Sequence, residues 1–148
     1  MENLRSTGTV FAIVMITVLL FARQSSARPQ PDEVEDMKKA LYSACSGKSP
    51  ITEEMKSNAK NGIFSEERNF KCFLMCTFEE LSLIDEEGVI DGEAMESMVI
   101  DDIKPMIKEA VKSCLPDIAG KPDPCEVAFN FVKCGANINA KLIEMLPL

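Results

Sequence analysis

Six cysteines, Cys45, Cys72, Cys76, Cys114, Cys125 and Cys134, constrain this chain more than any other feature. In an oxidising compartment an even set of cysteines pairs into disulfides. Six allow about fifteen pairings, and spacing prunes these only a little. Cys72 and Cys76 sit one helical turn apart on one face. Their Cβ atoms would lie about 5–6 Å apart, against the roughly 3.5–4.5 Å that a disulfide needs. They therefore bond to two different elements and tie the helix that carries them to two neighbours.

The compartment is read from the first 27 residues. Arg5 is a basic start, Val10 to Ala22 is a 13-residue apolar run broken only by Thr17, and Ser25-Ser26-Ala27 offers small residues for cleavage. That layout predicts a secretory signal peptide over 1–27 and one mature domain over 28–148. The apolar run is too short for a span of roughly 20 residues, and no later stretch reads as membrane-inserted. The leader takes Arg5, Arg23 and Glu2 with it, leaving 14 basic and 23 acidic residues and a net charge of −9. Such a chain is repelled by phosphate backbones and anionic lipid heads, which argues against nucleic-acid and membrane-surface partners.

The mature chain reads as successive short helices. Val34, Met37, Leu41 and Cys45 recur at helical spacing. Ser49-Pro50 starts a second segment with Ile51, Met55 and Ala59 on one face, ended by Asn61-Gly62. A third helix is predicted over 66–84, apolar almost all round from Phe70 to Phe78 and so buried among others. Asp85-Glu86-Glu87-Gly88 is a turn, and Asp91 caps a short helix holding Met95, Met98 and Val99. Ile103, Met106, Ile107, Ala110, Val111 and Cys114 make an amphipathic stripe with Pro105 in its first turn. Asp123-Pro124-Cys125-Glu126 is a strong helix start, and Gly135 is expected to stop that helix. No strand alternation or repeat is visible. The expected fold class is all-α, with six to seven short helices.

The cysteine intervals are 26, 3, 37, 10 and 8 residues. This spacing resembles that of the six-cysteine insect odorant-binding proteins of the pheromone- and general-odorant-binding superfamily. Local sequence agrees: Lys71-Cys72-Phe73-Leu74-Met75-Cys76, then Asp85 and Gly88, then Cys125-Glu126-Val127-Ala128-Phe129 and Lys133-Cys134. The likeness spans the whole mature chain. It implies helices around an internal apolar cavity and three interlocked bridges, Cys45–Cys76, Cys72–Cys125 and Cys114–Cys134. It further implies a soluble extracellular carrier that holds odorants or pheromones and delivers them to an olfactory receptor.

Chemistry points the same way. The chain has no histidine. Ser-His and Cys-His nucleophile pairs and histidine-ligated zinc are therefore excluded. Cysteine-only metal sites would consume the disulfide framework. Asp91-Gly92-Glu93 fails the spacing of a calcium loop, and Glu53-Glu54, Glu66-Glu67 and Glu79-Glu80 read as solvated faces or helix-start charges. Neither a catalytic residue, a cofactor nor a metal is expected.

Soft apolar side chains are plentiful: Met37, Met55, Met75, Met95, Met98, Met106 and Met145, with phenylalanines at 64, 70, 73, 78, 129 and 131. Each is individually consistent with ordinary core. By the resemblance, the residues expected near a ligand are Phe73, Leu74, Met95, Met98, Val99, Met106, Phe131 and Val132. Polar handles are few: Tyr42, Ser43, Thr77, Ser82 and Ser97. This favours long, mostly apolar molecules with at most one polar group. Burying about 250 Å2 would contribute about 6 kcal/mol before entropic losses.

The tail is too apolar to stand in water, and by the resemblance Leu142 and Leu146 join the expected wall as part of a lid. Without histidine, any acid-driven release falls to carboxylates, with Glu144 and the chain terminus as candidates, well below neutral pH. A monomer or weak homodimer is expected. Residue patterns leave three alternatives open: a non-olfactory carrier of lipids, hormones or other small apolar molecules in secretions or haemolymph; a signalling or antimicrobial helical protein without a cavity; and a secreted hydrolase, which the missing histidine disfavours.

Overall fold

The computed structural model describes residues 31–118 and 120–148, and the leader expected over 1–27 lies outside the described residues. Six α-helices follow one another among the described residues: α1 Pro31–Lys48, α2 Glu53–Lys60, α3 Arg68–Glu80, α4 Gly92–Met98, α5 Lys104–Ile118 and α6 Pro124–Ile138. A 3-10 segment, Ala140–Met145, forms the tail. Val34–Leu148 makes one compact unit. Strand structure among the described residues is limited to one antiparallel bridge, Ile84 to Ile90, which closes the Asp85–Gly88 turn.

Local chemistry sets the helix ends. Thr52 caps α2, its Oγ1 accepting from the Met55 N–H at 3.1 Å, so the helix begins at Glu53 rather than at Ser49-Pro50. Asp91 and Asp123 cap α4 and α6 by accepting from the Ala94 and Cys125 N–H groups at 2.9 and 3.0 Å. Pro124 then supplies the fixed φ of a first helical position.

Two expected boundaries are corrected. The third helix ends at Glu80, not near 84. Ser82 adopts a left-handed φ of 55°. The Leu83 N–H returns to the Phe78 carbonyl at 2.8 Å, and that of Ser82 to Glu79 at 2.9 Å. This is a Schellman cap with serine where glycine is usual, so no glycine marks the stop in the sequence. Gly135 likewise does not end α6, which continues to Ile138. A Cβ at Gly135 would lie 3.5 Å from Leu142 Cδ1 and 3.7 Å from the Ala110 Cβ, ordinary contact distances, so α5 and the tail pack directly on this turn of the helix. The stop is at Asn139, whose side chain accepts from the Lys141 N–H at 3.0 Å and starts the tail segment.

Helices α3 and α6 form the most extensive contact, with α5 and the tail packed on α6. Phe70, Phe73, Leu74 and Phe129 are fully or almost fully buried at the centre. The bridges join Cys45 to Cys76, Cys72 to Cys125 and Cys114 to Cys134. Cys72 and Cys76 thus take partners on α6 and α1, as their one-turn spacing requires.

Charged residues lace the edge of the α3–α6 contact. Lys71, largely buried, donates to Glu66 at 2.8 Å and Glu126 at 2.9 Å, and its ammonium lies 4.8 Å from the centre of the Phe129 ring. Lys133 pairs with Glu66 at 2.9 Å and also covers Phe129. Arg68 pairs with Asp123. Hydrogen bonds from Lys71 and then Lys133 hold the Glu66 carboxyl below the ordinary carboxylate value. Arg68 does the same for Asp123. The doubled glutamate at 66–67 is therefore an ion-pair hub on one member rather than a plain solvated face.

Candidate ligand-binding cavity

A cavity of about 150 Å3 lies within this unit. Helix α1 contributes Met37 and Leu41; α3 and its cap contribute Thr77, Phe78, Leu81 and Leu83. Met95, Met98 and Val99 come from α4 and its end, and Ile107 from α5. On α6 the wall is Phe131, Val132, Gly135 and Ala136, and the tail closes it with Leu142, Ile143, Met145, Leu146 and Pro147. Phe78 and Phe131 meet edge to face, their centroids 6.0 Å apart, which locks the two walls that carry them.

Seven residues singled out from sequence therefore share one cavity: Met95, Met98, Val99, Phe131, Val132, Leu142 and Leu146. Phe73, Leu74 and Met106 do not line it. Phe73 is fully buried and packs on Tyr42, with centroids 5.9 Å apart. Leu74 is one turn below Thr77 and Phe78 on the same helix and is filled in by core. The wall residues that sequence reasoning missed on α3 and its cap, Phe78 and Leu81, continue the Leu74 stripe at helical spacing. The unexpected capping turn ends α3 just beyond them.

Of the five polar handles, only Thr77 reaches the wall. The Tyr42 ring sits under the Lys56 ammonium at 4.4 Å. The Ser97 hydroxyl donates to the Ala94 carbonyl at 2.8 Å, and Ser43 and Ser82 are exposed. Thr77 donates its own proton to the Leu74 carbonyl at 2.7 Å. Every other wall side chain is aliphatic, aromatic or a thioether, so the cavity selects by shape and apolarity.

Three methionines of the wall, Met37, Met98 and Met145, are also 44%, 46% and 38% exposed, which places them at the boundary between cavity and solvent. Flexible thioethers at a rim let its width change at little rotamer cost.

A model of the PBP/GOBP family matches residues 27–137. The chain belongs to the PBP/GOBP family. Its members are odorant-binding carrier proteins, not enzymes. The general odorant-binding protein 69a of Drosophila melanogaster is 26% identical over 133 residues, covering 90% of this chain and 88% of its own length. The general odorant-binding protein 72 of Anopheles gambiae is 22% identical over 116 residues, covering 76% of this chain and 95% of its own. Among solved structures, odorant-binding protein 7 of Anopheles gambiae, with four disulfide bridges and in complex with an azo compound, superimposes with a TM-score of 0.69 at 27% identity. That match covers 80% of this chain and 98% of the other. The three-disulfide framework seen here makes this chain a six-cysteine member of the family. No helix among the described residues is long and apolar enough to cross a membrane.

Proposed function

We propose that this protein is a secreted extracellular carrier that takes up small apolar odorants or pheromones in the α1–α3–α4–α6–tail cavity and hands them to receptors. The single observation that carries the reading is the cavity itself: a wall of apolar side chains with one hydroxyl, inside a disulfide-stapled helical unit. Uptake is passive. An apolar volatile leaves water because its surface is buried, at roughly 25 cal/mol per Å2. No covalent chemistry is needed, and the wall supplies no nucleophile.

Size favours compact ligands over the elongated ones expected from sequence. An engineered protein cavity of about 150 Å3 holds benzene, and drug-sized ligands need roughly 300 Å3 or more. A long acyl chain enters only if the tail or the methionine rim yields. This observation weighs against the lipid-carrier reading and for single-ring or short branched volatiles.

Mass spectrometry of small molecules extracted from protein purified from its native tissue is the direct test. The expected result is a stoichiometric apolar compound of volatile size. Native protein free of any bound compound, together with failure to bind an apolar fluorescent dye in solution, would sink the carrier reading.

A further inference from the structure

Thr77 is the only polar or charged residue buried among the described residues, at 2% exposure. Valine has the same shape and would fill the position without desolvating a hydroxyl. The hydroxyl is not idle: its one proton is given to the Leu74 carbonyl, a helix carbonyl of the same strand of core, at 2.7 Å. A threonine hydroxyl holds one donor and two acceptor lone pairs. With the donor committed, what remains is acceptor capacity only. Thr77 also stands in the cavity wall, where no other side chain carries a nitrogen or oxygen.

We infer that Thr77 makes this cavity selective for compact apolar molecules that carry one hydroxyl donor, alcohols or phenols, over carbonyl analogues of the same shape. The inference rests on the carrier reading and sharpens it to a ligand class. An alcohol places its O–H on the free lone pair of Thr77 Oγ1 and loses no donor on entry. An aldehyde or ketone offers only an acceptor to an acceptor, and its carbonyl leaves water unpaired. A hydrocarbon neither gains nor loses by the hydroxyl. For Thr77 to serve a carbonyl ligand it would have to withdraw its proton from Leu74, which exchanges one hydrogen bond for another and contributes no net preference.

The test is calorimetric titration of the full mature protein with phenylmethanol, benzaldehyde and toluene, three ligands of one shape and of the ring size the cavity admits. The wild type is expected to bind phenylmethanol about 3- to 10-fold more tightly than benzaldehyde, the worth of one net hydrogen bond. Thr77→Val is expected to erase that ratio, and Thr77→Ser, which keeps the hydroxyl, to retain it. Equal affinity of the wild type for alcohol and aldehyde overturns the inference, and needs no variant to be folded. So does a preference that survives Thr77→Val, since only the methyl would then face the ligand. Failure of all three compounds to bind the wild type also overturns the inference, and binding of an apolar fluorescent dye by the same protein then shows that the carrier reading beneath it still stands.

Discussion

Deleting residues 140–148 takes away five of the nineteen residues that line the cavity, Leu142, Ile143, Met145, Leu146 and Pro147. The loss can be sized. A ligand that buries about 250 Å2 of apolar surface, stripped of roughly a quarter of its surroundings, regains about 60 Å2 of contact with water, worth about 1.5 kcal/mol. The dissociation constant is therefore expected to rise about tenfold. The tail also covers Gly135 on α6 and places Ile143 against Gly62 at the end of α2, so some stability goes with it. No disulfide does, because Cys134 is the last cysteine. The assay is titration of an apolar fluorescent dye into full-length and truncated protein, each checked by circular dichroism and by the absence of free thiols. A truncated protein that is folded, fully bridged and binds within twofold of the full chain refutes the idea that the tail is a wall.

Three further outcomes are expected. Ser82→Gly relieves a left-handed residue that costs roughly 1–2 kcal/mol, less about 0.5–1 kcal/mol for glycine's looser unfolded chain; thermal melting should rise by a few degrees, and an unchanged or lower midpoint counts against the cap assignment. Replacing both Cys114 and Cys134 by serine opens a loop of 20 residues, which the chain-entropy account puts at about 3 kcal/mol by denaturant unfolding, and a loss under about 1 kcal/mol contradicts that account here. Glu66, Asp123 and Glu35 are all held below the ordinary carboxylate value by hydrogen bonds from Lys71, Arg68 and Lys38 respectively; depressed folded values stabilise the fold above the unfolded value of about 4 and lose that contribution as pH falls through the folded one. With no histidine in the chain, melting temperature and dye binding should hold from neutral to about pH 5 and fall below about pH 4, whereas a midpoint above about 6 would show that another group controls them.

Much of the fold was legible because its signals are local and strong. Asp91, Asp123 and Pro124 announce helix starts by chemistry that needs no partner, and the Cys72–Cys76 spacing by itself demands two separate neighbours. The errors have one form: a residue read by its own habit alone, without the hydrogen bonds its neighbours make. Gly135 looks like a stop, yet the helix runs on to Ile138 and ends at Asn139, whose side chain accepts from the Lys141 N–H and starts the tail segment. Ser82 looks like helix, yet its neighbours Phe78 and Leu83 are better buried if the chain turns there. The cavity was partly legible for the same reason. Met95, Phe131 and Val132 lie on apolar faces that any packing would bury. Which buried residues border empty space and which border each other is decided by how helices cross, and periodicity carries no record of crossing. That is why Phe73 and Leu74, in the apolar middle of α3, belong to solid core, while Thr77 and Phe78, one turn on, border the cavity.

The three bridges have a consequence in how they are distributed. They link α1, α3, α5 and α6 and leave α2, α4 and the tail without a covalent tie. The cavity is therefore half mould and half clay. One side, with Leu41, Phe78 and Phe131, is cast into the cross-linked frame; the other, with Met95, Met98, Leu142 and Leu146, is held by packing alone. A substitution on the first side strains the cross-linked framework, while one on the second reshapes the space and leaves that framework untouched. Variation in α4 and the last ten residues can thus retune what such a protein carries without renegotiating how it stands up, and those segments are where a designer should begin.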